Sequence, residues 1–322
     1  SWIEFNARVL SEAKKTYIPL LERLRFLTIV TTNFDEFFMV RVAELKRQSQ
    51  TNPSWKDLSG LTPKQQLDKI SGRVHEIIND QYECLNSVII PQLAKEGISY
   101  VNSSAYTPDQ LHYLSTLFQQ EIFPLLTPLR VDSSTEFPHI TNLRLHAAFL
   151  LKPLIEDSLL PEQFKHKKDE DPVAVVQLPS SIPRIVWLPS EGDKKRFALL
   201  DDIVTLFGTR LFSGYSVEES FLFKVTRDAA FAVDEERDID FIQAMEEVLA
   251  KRLSSFPVRM ICTTSSPRIQ KFISDKLALT AQDVYEVKGI IDLATLADLI
   301  SVEGFSQLKF PPWKHFQNTV LH

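Results

Sequence analysis

The sequence predicts a two-domain chain, an all-α helical bundle followed by an α+β domain. Three observations carry this. Apolar residues in the first hundred positions recur at helical spacing. Two threonine-proline pairs, Thr62-Pro63 and Thr107-Pro108, stand where helices should begin. Beyond residue 145 the pattern changes to short apolar runs bounded by proline, serine and charge. At 322 residues the chain is long for one core and comfortable for two. The expected division is 1–102 and 103–322.

The helices follow in order. Trp2, Phe5, Val9 and Leu10 mark the first. Pro19 opens a second through Leu20, Leu24 and Leu27, and a third is expected from about Asn33 to Gln48. Phe34, Phe38, Val42 and Leu45 share one face of that third helix and should be core. Asn33, Phe37, Arg41, Glu44 and Gln48 lie along the neighbouring face. Asp35 and Glu36 fall in its first turn and Lys46 and Arg47 in its last, the order a helix dipole favours. Thr62-Pro63-Lys64-Gln65 has the form of a capping box and opens a long helix to about Lys95. Gly97 to Tyr106 reads as a crossover, and Thr107-Pro108-Asp109-Gln110 repeats the cap for a helix to about Phe123. Short connections make an up-and-down bundle.

In the second domain, strands are expected at 145–151, 173–178, 184–188, 197–200, 221–225 and 258–262. Helices are expected at 201–206, 239–253, 267–276 and 293–300, with a solvated loop over 156–171. Strands mixed irregularly with helices indicate an α+β domain.

Composition narrows the function classes. The net charge is −6, which disfavours a nucleic-acid binder. The 8 glycines include no GxxxxGK[ST] or GxGxxG, so no standard phosphate loop is present. No HExxH and no CxxC pair occurs, so no metal site is expected. Cys84 and Cys262 read as buried thiols of a reducing compartment. The chain opens on Ser1-Trp2-Ile3 with no signal-peptide pattern and has no membrane-length apolar stretch, which makes a cytoplasmic location the expectation. The seven histidines stand beside no nucleophile or carboxylate arrangement and read as surface or boundary residues.

Taken alone, Asn33 reads as a helix N-cap with Glu36 at the capping-box position, and Arg41 as an i,i+3 partner of Glu44. Arg227-Asp228 reads as a strand-end salt bridge or turn, with a domain or dimer contact as the alternative.

Several ordered motifs add to this reading. Trp2-x-x-Phe5-Asn6-x-Arg8-Val9-Leu10 is followed by Pro19-Leu20-x-Glu22-Arg23-x-Arg25-Phe26-Leu27. Then come Asn33-x-Asp35-Glu36-Phe37 and Arg41-x-Ala43-x-Leu45-Lys46. This run resembles the opening of the polyphosphate kinase family. Pro124–Leu129, Phe137–Leu143 and Val225–Ala229 resemble later blocks of that family. Phe34 stands where leucine is usual, and His139 where an aromatic is expected.

The resemblance implies a helical domain, a head domain and two C-terminal domains similar to phospholipase D. It implies reversible transfer of the ATP terminal phosphate to inorganic polyphosphate through a phosphohistidine, with Mg²⁺. The histidine and the metal- and phosphate-binding arginines would belong to the C-terminal domains, so residues 1–322 alone are expected to be inactive. A homodimer is implied. Of the family's ligand contacts, the N-terminal ATP-binding asparagine maps onto Asn33. Arg41, roughly 12 Å further along a helix, is a candidate for a phosphate path. Residues 1–50 carry eight Lys/Arg against six Asp/Glu, which suits such a path. A stand-alone interaction module that binds no nucleotide is the competing expectation.

Overall fold

A computed structural model describes residues 2–131, 137–154, 172–190, 192, 194–229 and 255–311. The helix expected over 239–253 and the loop expected over 156–171 lie outside these residues.

The first domain is helical: α1 (Trp2–Ala13), α2 (Leu20–Phe37), α3 (Ala43–Thr51), α4 (Pro63–Cys84) and α5 (Ile90–Lys95). The expected break at Asn33 does not occur. α2 runs through it and is joined to α3 by a π-helical turn at Phe38–Val42. The Thr31-Thr32-Asn33 cluster looks like a helix start because such residues compete for backbone groups. Here the competition is settled inside the helix. Thr31 Oγ1 donates to the Leu27 carbonyl at 3.3 Å and Thr32 Oγ1 to the Ile29 carbonyl at 3.1 Å. Asn33 is therefore no N-cap, Glu36 closes no capping box, and Asp35 and Glu36 lie mid-helix, away from any helix N-terminus. The real boxes are at the threonines. Thr62 with Gln65 caps α4, and Thr107 with Gln110 caps α6 (Pro108–Leu117). The expected core face is buried, with Phe34, Phe38, Val42 and Leu45 all at or below 7% exposure.

The second domain is built on a six-stranded sheet of β2 (Leu129–Val131), β3 (Leu145–Pro153), β4 (Val173–Gln177), β7 (Tyr215–Arg227), β8 (Pro257–Thr263) and β9 (Val284–Val287). Their order is β2-β4-β3-β7-β8-β9, antiparallel except for the β8–β9 pair. A three-stranded sheet joins β1 (Ile98–Tyr100), β6 (Lys195–Leu199) and β5 (Ile185–Leu188) in that order. Helices α7 (Leu200–Phe207) and α8 (Pro267–Lys276) accompany them, and Leu293–Ile300 forms a short 3₁₀ and α segment. Each of the six expected strands is present. β1, inside the expected crossover, and the short β2 and β9 are additional.

Strand alternation sorts the large sheet into two faces. Phe221, Phe223, Val225, Met260 and Cys262 pack with Ile269 and Ile273 of α8. The opposite face, with Ala147, Phe149 and Ile261, joins a core continuous with Leu21, Leu24 and Phe34 of α2. Lys224, Thr226 and Arg259 occupy this second parity and so lie towards the helical domain. Both cysteines are free and buried, as their composition context predicts.

Candidate functional site

α1, α2, the π-turn and α4 enclose a cleft of about 630 Å³. Trp2, Asn33, Phe37, Arg41 and Arg73 are among its lining residues. The indole of Trp2 stacks on Phe37 with ring centroids 4.7 Å apart and planes 7° apart. Asn33 and Arg41, separated by two helical turns, thus open on the same space. Phe37 completes their stripe.

The Asn33 amide is half-buried and fixed from behind. Its Nδ2 donates to Asn6 Oδ1 at 3.1 Å. Arg41 is exposed, and among the described residues no ion pair holds it. Its expected partner Glu44 is engaged elsewhere, by Arg47 and by Gln48 Nε2 at 3.0 Å. The Arg47 guanidinium beside Glu44 holds that carboxyl below the usual carboxylate range against its partial burial. Opposite Arg41, Arg73 Nε and Nη2 donate to the two oxygens of Glu4 at 2.7 and 3.1 Å, and Nη1 donates to Glu76 at 2.8 Å. This pairing lowers the Glu4 carboxyl and raises Arg73. An aromatic pair, an amide and two guanidiniums suit a ligand with both a planar and an anionic part.

Beneath the cleft, α2 is fastened to the sheet by buried charge. Asp35 Oδ2 accepts from Lys224 Nζ at 2.8 Å, and its Oδ1 accepts from Arg259. Lys224 Nζ also donates to Asp292 at 2.8 Å. Burial alone would raise the Asp292 carboxyl, but Lys224 and Arg184 outweigh it and hold it below its ordinary value. The Arg259 guanidinium lies 4.3 Å from the Phe38 ring centroid, a cation–π contact in the same seam. Asp35, two residues from Asn33, is thereby one tie between the domains.

Of the Arg227-Asp228 pair, Asp228 also reaches across. Asp228 pairs with Arg47 of α3, and the Ala229 amide donates to the Met39 carbonyl at 3.0 Å. Arg227 Nε donates to the Ser255 carbonyl at 3.0 Å. The Arg227 bond stays within the second domain, whereas the Asp228 and Ala229 bonds join the two domains of one chain.

Sequence reasoning missed Arg73, the Trp2–Phe37 stack and the buried seam. A signal for the seam existed: Lys224 and Arg259 interrupt otherwise apolar strands. It also placed every histidine at a surface or boundary, yet His146 is 2% exposed and stacked on Phe223 at 5.3 Å. Burial pushes its imidazole down to about 4, against a bond to the Arg144 carbonyl. Among the described residues no three His, Cys, Asp or Glu converge as a metal-holding set.

The described residues form a helical domain joined through buried ion pairs to an α+β domain. A family model described as the polyphosphate kinase N-terminal domain matches residues 1–101, and one described as the polyphosphate kinase middle domain matches residues 109–299. The chain belongs to the polyphosphate kinase family. It is 37% identical over 302 residues to a polyphosphate kinase of Bacillus anthracis, covering 93% of this chain and 42% of the relative. It is 36% identical over 318 residues to that of Mycolicibacterium gilvum, covering 97% and 42%. The crystal structure of polyphosphate kinase from Porphyromonas gingivalis matches with a TM-score of 0.77 at 25% identity, over 98% of this chain and 42% of that one. The chain thus spans well under half the length of these relatives. Among the described residues no helix is long and apolar enough to cross a membrane.

Proposed function

We propose that this chain supplies the nucleotide-proximal part of a polyphosphate kinase. In this reading the whole enzyme reversibly transfers the terminal phosphate of ATP to inorganic polyphosphate through a phosphohistidine. The phosphohistidine and the Mg²⁺-binding groups belong to C-terminal domains outside residues 1–322. No phosphotransfer is expected of these residues alone. Asn33 contacts ATP, and Arg41 lies on the path of its phosphates or of the polymer. The chain divides into a helical domain, 1–102, and a head domain, 103–322. The head domain contributes to a cytoplasmic homodimer.

One observation carries the ligand assignment: Asn33 and Arg41 open on a single cleft with Arg41 unpaired among the described residues. A fixed amide and a free guanidinium offer directional hydrogen bonding beside charge. The test is titration of ATP into the full-length gene product and its Asn33→Ala variant. Binding weakened about fivefold or more, the order of one hydrogen bond, is expected. Equal affinity for the two proteins removes the nucleotide role and leaves an interaction module.

A further inference from the structure

We infer that Asn6 is a positioning residue that sets which way the Asn33 amide faces the cleft. The inference rests on the reading of Asn33 as a nucleotide contact. Asn6, on α1, is fully buried at 0% exposure, so its amide must be satisfied by protein groups. Its Nδ2 donates to the Val30 carbonyl of α2 at 3.2 Å. A carbonyl oxygen can only accept, so Asn6 must turn its NH₂ towards Val30 and its Oδ1 away. That oxygen meets Asn33 Nδ2 at 3.1 Å. It too can only accept, so Asn33 must turn its NH₂ inward.

The consequence is a single orientation imposed from an unambiguous backbone group. Asn33 Oδ1 has no partner among the described residues. Among those residues the buried side-chain polar atoms without a partner are the hydroxyls of Tyr106 and Tyr285. Asn33 Oδ1 is therefore open to the cleft, as an acceptor held in place before any ligand arrives. The amide torsion of asparagine is otherwise broad and roughly two-fold. Without Asn6, Asn33 would present oxygen and nitrogen interchangeably.

The experiment compares Asn6→Leu, Asn6→Asp and Asn33→Ala in the full-length gene product, reading KM for ATP and kcat of phosphate transfer together with thermal unfolding. Asn6→Leu removes the acceptor that holds Asn33. KM is expected to rise roughly fivefold, the order of one neutral hydrogen bond, with kcat unchanged. Asn6→Asp keeps an acceptor for Asn33 but places a carboxylate against the Val30 carbonyl. It should be the less stable of the two and yet restore KM to within about twofold of the unaltered enzyme. A purely structural role predicts the opposite order, with KM following stability. An unchanged KM in Asn6→Leu, or an equal rise in Asn6→Asp, overturns the inference. If Asn33→Ala also leaves KM unchanged, the reading of Asn33 itself falls. If Asn33→Ala raises KM and Asn6→Leu does not, only the role of Asn6 falls. Should either Asn6 variant not fold, a structure of the unaltered protein with ATP decides. Persistence of the Asn6–Asn33 bond supports the inference and its rupture overturns it.

Discussion

Asp35 and Lys224 stand 189 residues apart in the sequence, and their charged atoms meet at 2.8 Å. Arg259 on β8 and Asp292 beyond β9 complete the group, and Lys224 and Arg259 are each 1% exposed. Charges removed from water on this scale are tolerable only while every partner is present. The group lies between α2 and the large sheet, so it couples the stability of one domain to the attachment of the other.

Asp35→Ala leaves Lys224 with one carboxylate and Arg259 with none from α2. Breaking a buried pair in this way destabilises by about 3–5 kcal/mol. Asp35→Asn keeps the size and one acceptor and should lose less. Urea or thermal unfolding of the three proteins checks this. A loss below about 1 kcal/mol for Asp35→Ala would mean the seam is wet and the attachment rests on apolar packing.

Gly208 follows α7 and faces the ring of Phe149. Its φ is not in the left-handed region, so the requirement is for space and not for backbone freedom. An added Cβ would collide with the Phe149 ring, which is itself 0% exposed and held in the core. Gly208→Ala is expected to destabilise by about 1–3 kcal/mol, the usual effect of overpacking. Gly192→Ala, where a Cβ meets nothing within 4 Å, controls for a glycine limited by its φ of 67°. A Gly208→Ala protein as stable as the parent would show that Phe149 can move aside.

His146 makes stability depend on pH. Burial holds its folded value at about 4, below the ordinary 6.5. The unfolded chain therefore binds the proton first. Stability is full above about pH 6.5 and falls as pH drops towards 4, by at most about 3 kcal/mol. His146→Gln does not titrate and can still donate to the Arg144 carbonyl. Urea midpoints at pH 7.5 and 5.0 should differ less in the variant than in the parent. Equal differences would assign the acid sensitivity to other groups.

How legible these features were depended on whether a local pattern encodes them. The capping boxes at Thr62 and Thr107 are four-residue signals, and both caps form as the residues predict. The strand over Leu145–Leu151 alternates between two cores and was readable for that reason. β1, β2 and β9 have only three or four residues each, and pairing with distant strands makes them strands. The continuity of α2 through Asn33 was hidden because threonine and asparagine carry the same polar atoms whether they cap a helix or bond back within it. Asn33, Phe37 and Arg41 could be placed on one face by helical spacing. Arg73 could not, because only the packing of α4 against α1 and α2 brings it to them.

The Glu4–Arg73 pair gives the cleft its last prediction. Arg73 spends both edges of its guanidinium on Glu4 and Glu76. Arg41, across the same cleft, has no such partner among the described residues. An anionic ligand entering the cleft meets one free guanidinium and one that a carboxylate already occupies. Glu4 then competes with phosphate for Arg73. Glu4→Gln should tighten ATP binding about two- to threefold at low salt, because an exposed pair of this kind is weak and screened. Arg41→Ala should loosen it by a similar or larger factor, and added salt should shrink both effects. Titrations of ATP and of inorganic polyphosphate into the full-length gene product at two ionic strengths check this. Weaker binding by Glu4→Gln would show that Glu4 holds Arg73 in place for the ligand and does not withhold it.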